Sequence, residues 1–218
     1  MNIKFAVIGE GQPDHIILKN IIHGFFKNKL IPINRWLPES DESVGWDRVL
    51  KYLATEEFRT RLLNTDFCIV QVDTNECEQW NEGISHIGGN ASEVQIDKFI
   101  EVIKAVLIKK IGADYSSLKN KIIFAITVHD LECWLLPFNS NLPAEQSKIF
   151  SCKKTMQGIA KAKKLTIDKK SDPYKRIKSF EEMSKEMRDN KELLEKSKLN
   201  PSLKIFVNTL SSTFPFQV

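Results

Sequence analysis

The sequence predicts an α/β protein with a mostly parallel four-stranded sheet flanked by helices, followed by a helical C-terminal region. Short apolar runs rich in strand-forming residues alternate with longer amphipathic segments as far as residue 138. Strands that alternate with helices join through right-handed crossovers into a parallel sheet. Only helical patterns follow. We therefore expect an α/β domain over residues 1–138 and a helical, basic region over 139–218 packed on it.

The first predicted strand ends in a Gly-Glu-Gly turn. An apolar run over 3–8 is followed by Gly9, Glu10 and Gly11, and then by Pro13, which suits the first position of a helix. The glycines allow a sharp turn and the close approach of a ligand. Because ligands bind at the carboxyl ends of strands in open α/β sheets, Glu10 is a candidate for chemistry.

The helix after this turn is predicted over 13–29, from apolar residues at helical spacing. Asp14 lies in its first turn, where a carboxylate interacts favourably with the helix dipole, and this explains Asp14 better than catalysis does. His15 and His23 are expected on the helix surface.

The remaining elements follow in order. Strands are predicted over 31–37, 67–72 and 121–128, and helices over 46–63, 96–111, 131–138, 156–164, 174–197 and 202–210. The polar residues Thr55-Glu56-Glu57 interrupt the pattern of 46–63 and would divide it in two. Residues 40–45 form a polar turn. Residues 74–92 are polar and irregular, a length that is uncommon in a compact domain unless the segment binds or covers a ligand.

Composition and charge restrict the protein class. Hydrophobic residues make up 42% and charged residues 28% of 218 residues, as in globular proteins. No apolar run is long enough to span a membrane and no signal sequence is evident, so a cytoplasmic location without membrane contact is expected. The four cysteines are scattered without a metal or redox spacing, and we expect free thiols. They are Cys68, Cys77, Cys133 and Cys152.

The net charge of +4 is unevenly distributed. Residues 148–178 contain eleven Lys or Arg and only two acidic residues, so the rest of the chain is acidic. An acidic part joined to a basic part would suit a protein that holds metal ions beside a polyanion such as nucleic acid. Solvated lysine-rich helices would give the same pattern.

Acidic residues follow three of the four predicted strands. Glu10 follows the first strand, Asp73 the third, and Asp130 with Glu132 the fourth. Because parallel strands end at the same edge of a sheet, these carboxylates are expected to converge there. Oxygen ligands of this kind suit Mg²⁺ or Mn²⁺. Such metals promote the cleavage of phosphodiesters.

Three segments resemble the motifs of TOPRIM domains. Residues 8–14 are similar to their "EG-x-x-D" segment, and residues 72–75 occupy the place of their later "D-x-D". Residues 129–136 are similar to the "E-x-W-L-L" segment of small prokaryotic TOPRIM-like proteins related to the OLD and RloB nucleases. The resemblance spans about residues 2–138, and its motifs occur in the same order on the predicted elements.

The resemblance implies roles for particular residues. Glu10 would bind metal and act as general base or acid, Asp73 would bind metal, and Glu132 would complete the acidic site. OLD-type nucleases also use a later lysine, for which Lys153 and Lys154 are candidates. The family context further implies anti-phage defence with an ATPase partner.

One departure from the family pattern concerns the second acid of "D-x-D", which is Asn75 here. Three options follow: Glu76 or Glu78 replaces that acid, one metal is held, or activity is reduced. The full set of predicted metal ligands is Glu10, Asp73, Asn75, Glu76, Asp130 and Glu132.

The sequence leaves three functions open. The first is a Mg²⁺- or Mn²⁺-dependent nuclease acting on DNA or RNA, and the second is a non-catalytic module with a degenerate metal site that acts through a partner. The third is another α/β enzyme acting on phosphate esters. The number of subunits is also open, with a homo-oligomer among the options.

Overall fold

A four-stranded parallel sheet lies at the centre of the computed structural model, which describes residues 3–39 and 43–215. Its strands are β1 (Phe5–Ile8), β2 (Ile33–Leu37), β3 (Phe67–Asp73) and β4 (Ile122–Thr127). Their order across the sheet is β2-β1-β3-β4, and each neighbouring pair is parallel. The predicted fold class is therefore confirmed. All four carboxyl ends lie at one edge.

The helices up to residue 139 include all the predicted ones and one short helix, α5, that was not predicted. They are α1 (Gln12–Phe25), α2 (Gly45–Leu53), α3 (Glu56–Leu63), α4 (Glu93–Ile111), the short α5 (Tyr115–Leu118) and α6 (Glu132–Asn139). The predicted break near Thr55 is confirmed, because its side chain caps α3 by accepting a hydrogen bond from the Phe58 N–H. Part of the predicted turn over 40–45, residues 40–42, lies outside the described residues.

Both faces of the sheet are covered. Phe5, Val7 and Ile69 face a core built with α1, α6 and the C-terminal helices, whereas Ala6 and Val70 face a second core built with α2, α3 and α4. This alternation along β1 and β3 follows from the two-residue period of a strand. It explains why the strand sequences are almost continuously apolar.

The C-terminal region is helical, as predicted, but it contains more and shorter helices. They are α7 (Pro143–Gln146), α8 (Cys152–Ala162), α9 (Pro173–Met183), α10 (Asn190–Lys196) and α11 (Pro201–Thr213). The single helix predicted over 174–197 is wrong, because a 3-10 turn over Lys185–Arg188 separates α9 from α10. Asp189 caps α10 by accepting a hydrogen bond from the Glu192 N–H, which starts a new helix there.

The C-terminal helices share one core with the N-terminal part of the chain. The indole of Trp134 stacks on Phe206, with ring centroids 5.3 Å apart, and donates a hydrogen bond to Ser202. At Gly24 in α1, a Cβ atom would collide with the carbonyl oxygen of Met187. The backbone of α1 therefore lies directly against the 3-10 turn over Lys185–Arg188.

Two further expectations are wrong. His15 and His23 are 8% and 5% exposed, and each ring Nε2 lies within hydrogen-bond distance of a backbone carbonyl, of Leu37 and Ile31 respectively. Each carbonyl lies in or just before β2, which packs beside α1. The helix therefore buries polar positions as well as its apolar face.

The expectation of four free thiols is also wrong. Cys133 and Cys152 form a disulfide between α6 and α8, with Cα atoms 5.0 Å apart. The packing of α6 on α8 brings these two cysteines together, and their spacing in the sequence does not indicate this pairing. Cys68 and Cys77 are free and buried.

No helix within residues 3–39 and 43–215 combines the length and apolar character that crossing a bilayer requires.

Candidate metal and anion site

The Gly-Glu-Gly turn places Glu10 at the carboxyl edge of the sheet. Gly9 passes so close to its neighbours that an added Cβ would lie 3.0 Å from the Cβ of Asp14 and 3.2 Å from Oε1 of Gln71. Oε1 of Glu10 accepts a hydrogen bond of 3.0 Å from the Asp73 N–H. The carboxylate of Glu10 therefore lies beside the end of β3.

Asp14 closes the same turn from the first turn of α1. Its Oδ2 accepts hydrogen bonds from the backbone N–H groups of Glu10 (2.8 Å) and Gly11 (2.7 Å). Asp14 is 8% exposed and also lines the cavity into which Glu10 projects. The dipole interpretation of Asp14 is thus incomplete, because its side chain also fixes the conformation of the Glu10 turn.

Hydrogen bonds between His129 and residues 74–75 join the segments that follow β3 and β4. The carbonyl oxygen of His129 accepts from the N–H groups of Thr74 (3.0 Å) and Asn75 (3.1 Å), and the His129 N–H donates to Oγ1 of Thr74 (2.8 Å). His129, between β4 and α6, adopts a left-handed conformation with φ of 61°. Asp73 and Asp130 are held close together as a result.

Three carboxylates meet at this edge. Asp73, Asp130 and Glu132 each offer one oxygen atom within 4.8 Å of the others, a separation suited to sharing one cation. Oδ1 of Asp73 accepts hydrogen bonds from Nε2 of Gln71 (2.8 Å) and the Thr127 hydroxyl. Neutral donors thus fix the orientation of the Asp73 carboxylate.

The other predicted ligands surround this cluster. The amide of Asn75 donates to Oδ1 of Asp130 (2.9 Å), so Asn75 orients a carboxylate. Glu76 lines the cavity, and its Oε2 accepts from the Trp46 indole (2.8 Å). Glu78 instead accepts a hydrogen bond from the His86 N–H and does not line the cavity.

Burial and mutual repulsion raise the pKa values of the clustered acids. Burial, followed by the charge of Asp14, raises the pKa of Glu10 to about 8, although the hydrogen bond from the Asp73 backbone opposes the shift. Burial raises the pKa of Asp14 to about 7, against two backbone hydrogen bonds. The pKa of Asp73 is also raised, by burial and then by Glu10.

The same effects act on Glu132, whose pKa is raised by burial and then by Asp130. A cluster of this kind requires bound protons or a cation at neutral pH. The donor set suits a hard divalent cation such as Mg²⁺ or Mn²⁺, because it consists of carboxylate oxygens, and neutral donors orient those of Asp73 and Asp130.

Three cations also line the cavity, whose volume is about 210 Å³. Lys153 lies in α8, Lys169 precedes α9, and Arg176 lies in α9. Among the described residues none of the three forms an ion pair, and Nε of Arg176 is buried without a hydrogen-bond partner. Lys154 is exposed and does not line the cavity.

The disulfide joins two elements that line the cavity. Cys133 directly follows Glu132, and Cys152 directly precedes Lys153. A carboxylate of the acidic cluster and a lysine of the basic side are therefore each one residue away from the same covalent link. The N-terminal end of α8 is fixed relative to that of α6.

Sequence reasoning missed Lys169 and Arg176. Both lie in the basic segment 148–178, so the excess of positive charge was visible, but eleven similar residues offered no means of choosing among them. Lys169 and Arg176 reach the cavity because of the loop before α9 and the packing of α9 on α1. Both features depend on tertiary structure.

Comparison of the chain with protein-family models, curated proteins and solved structures found no match. The resemblance to TOPRIM domains therefore stays a prediction that depends on the three short motifs.

Proposed function

We propose that this chain is a metal-dependent nuclease that hydrolyses phosphodiester bonds of DNA or RNA. The observation that supports this most strongly is that one small cavity contains both a carboxylate cluster and three cations, none of which forms an ion pair with another described residue. A metal-bound phosphate complements both groups, because the metal satisfies the carboxylates and the phosphate oxygens satisfy the cations.

Arg176 gives the best support for the part of this proposal that concerns phosphate binding. A buried N–H group without a partner costs about 1–3 kcal/mol, so such groups are rare in folded proteins. Within the described part of the chain the Nε of Arg176 is such a group, and it lies in a cavity that already contains six carboxylates, among them Glu10 and Asp14. A phosphate oxygen would provide the missing acceptor.

In the proposed mechanism Asp73, Asp130 and Glu132 would hold the metal. A bound Mg²⁺ or Mn²⁺ would supply Lewis-acid activation of the phosphate and of a water molecule. Glu10 lies beside this group and would accept the proton of the attacking water. Lys153, Lys169 and Arg176 would bind the non-bridging phosphate oxygens and stabilise the charge that develops on them.

The choice of nucleic acid as substrate depends on the basic segment 148–178, which contributes Lys153, Lys169 and Arg176 to the cavity. Contacts between phosphates and Lys or Arg provide most of the affinity of non-specific nucleic-acid binding. By analogy with the TOPRIM-like nucleases, we extend the proposal to a role in anti-phage defence with an ATPase partner.

The proposal is tested by incubating the protein with plasmid, single-stranded DNA or total RNA, in Mn²⁺ or in chelator. Cleavage is expected only with the metal. Glu10→Gln and Asp73→Asn should each lower the rate by at least about 100-fold, since each removes a proton acceptor or a ligand. Glu195→Gln is the matched control, because Glu195 is exposed and lines neither this cavity nor its neighbour, and it should cleave normally.

Unchanged cleavage in both Glu10→Gln and Asp73→Asn would refute the assignment. Two other outcomes favour the alternative functions. Absence of both cleavage and metal binding by calorimetry would favour a non-catalytic module, consistent with Asn75 in place of an acid. Turnover of a small phosphate ester, with DNA and RNA left intact, would favour an enzyme of small phosphate esters.

A further inference from the structure

A second cavity, of about 440 Å³, adjoins the acidic one. The two share Asn75 and Asp130, so they form one continuous depression along the carboxyl edge of the sheet. The second cavity is also lined by His86, Ile87, Gly88, His129, Phe150 and Ser151. The metal and anion site described above uses none of these six side chains.

Three rings form a preorganised aromatic surface in this second cavity. His129 stacks on His86, with centroids 5.1 Å apart and planes at 16°, and meets the edge of Phe150 at 4.9 Å. His129 is 5% exposed, and its Nε2 lies 3.0 Å from the carbonyl oxygen of Ile87. Phe150 is 50% exposed, so one ring of a fixed aromatic group faces solvent.

The irregular segment 74–92 builds one side of this surface. Sγ of Cys77 lies 3.6 Å from Nδ1 of His86, and the Glu78 carboxylate accepts the His86 N–H. Gly89 passes so close to Phe150 that an added Cβ would lie 3.0 Å from the Phe150 Cβ. The segment therefore holds His86 and Phe150 in place.

We propose that this second cavity binds the base of the nucleotide next to the scissile phosphate, with the base stacked on Phe150. This inference depends on the proposed nuclease function and identifies its substrate class as single-stranded nucleic acid. In a duplex both faces of a base are already stacked, whereas a single strand can offer one face to an aromatic side chain. Asn75 and Asp130 link the base cavity to the phosphate cavity.

The side chains that line the second cavity are more suited to a nucleic-acid base than to a purely apolar ligand. A base combines an aromatic face with polar edges, and this cavity combines an exposed phenyl ring with the polar side chains of Ser151 and Asn75. Stacking of a base on an aromatic side chain contributes about 1–3 kcal/mol. The corresponding gain in affinity is about 5- to 150-fold per base.

The test compares the binding of two short single-stranded oligomers, one with bases and one with the same backbone and abasic sugars. Binding is measured by fluorescence anisotropy in Ca²⁺ and again in chelator, so that hydrolysis is not required. The full protein should bind the base-containing oligomer at least about 5-fold more tightly. Phe150→Ala should bring this ratio close to one, whereas Phe150→Trp should keep it.

Leu30→Ala is the matched control, because Leu30 is 88% exposed and lines neither cavity, and it should leave the ratio unchanged. A ratio near one for the unaltered protein would overturn the inference. A ratio that Phe150→Ala does not change, or no binding of either oligomer in either buffer, would also overturn it.

The outcomes separate this inference from the nuclease assignment. Metal-dependent cleavage without any preference for bases would support the nuclease assignment and contradict the assignment of the second cavity as a base-binding site. If the protein cleaves no nucleic acid but shows a base preference that depends on Phe150, the base-binding site would be supported and the nuclease assignment contradicted. The chain would then be assigned as a module that binds single strands.

Discussion

At the scale of single residues, Asp14 shows how one side chain can serve both the fold and the site. Its Oδ2 satisfies two backbone N–H groups and so holds the turn that carries Glu10. The same negative charge raises the pKa of Glu10. Asp14 therefore stabilises the turn but also repels the Glu10 carboxylate, and a bound cation would reduce this repulsion.

His15 leads to a prediction about pH. Burial lowers its pKa to about 4, whereas an unfolded histidine has a pKa near 6.5. The unfolded chain therefore takes up a proton at His15 between these values and the folded chain does not. This contribution to stability is fully present above pH 6.5 and is lost as the pH falls towards 4.

Urea unfolding at pH 7.5 and pH 5 measures this effect. Between these conditions His15 should lower the free energy of unfolding by about 2 kcal/mol. In His15→Gln the total pH dependence should be smaller by that amount, because all other titrating groups are unchanged. Identical pH dependence in the two proteins would contradict the prediction.

At the scale of secondary-structure elements, α6 and α8 bring a carboxylate and a lysine to one cavity through the Cys133–Cys152 link. The link closes a loop with a sequence separation of 19 residues. Disulfides that close loops of this size stabilise a protein by about 3 kcal/mol, mainly by restricting the unfolded chain.

Reduction should therefore lower the free energy of unfolding by about 3 kcal/mol, measured by urea unfolding with and without dithiothreitol. A variant with both Cys133→Ser and Cys152→Ser should be less stable and should not respond to the reductant. Cys68 and Cys77 remain in this variant and serve as the internal control. An equal response of the variant to reductant would contradict the role of the link.

At the scale of the whole molecule, the sheet gathers acids from distant parts of the chain. Glu10 and Glu132 follow different strands of one parallel sheet, and α8, α9 and the loop before α9 add the basic side. Folding thus assembles charges that are unfavourable together in the absence of a ligand. A cation that binds only the assembled site should stabilise the fold.

Thermal unfolding with Mg²⁺ or with chelator measures this stabilisation. At a metal concentration one hundred times the Kd, the folded state should gain about 2.7 kcal/mol, and the melting temperature should rise accordingly. Asp73→Asn should lose most of the gain, whereas Glu78→Gln should keep it. The same metal-induced rise in Asp73→Asn and in the unaltered protein would argue against metal binding at the cluster.

Much of this architecture could be predicted from the sequence, because apolar periodicity reports directly on burial. The nearly continuous apolar character of 67–72 predicts a strand, and the observed strand β3 is buried on both faces. Parallel topology then placed Asp73 and Asp130 at one edge. Local patterns and one topological rule are sufficient for the carboxylates that follow strands, but not for Asp14, which reaches the cavity from the first turn of α1.

The basic side could not be predicted, since it depends on packing between elements distant in sequence. Arg176 reaches the cavity because α9 packs on α1, and nothing near residue 176 encodes that contact. The burial of His15 and the pairing of Cys133 with Cys152 have the same origin. Sequence patterns predict most of the longer helices, but they do not specify which elements pack against one another.

The close packing of Gly24 against the backbone near Met187 affects how the molecule can be dissected. A fragment that stops at residue 138 would lack the segment that covers α1, and would expose the apolar side chains of Ile17, Ile21 and Phe25. Truncation therefore cannot separate the acidic half from the basic half. Their contributions have to be distinguished by point substitutions in the intact chain.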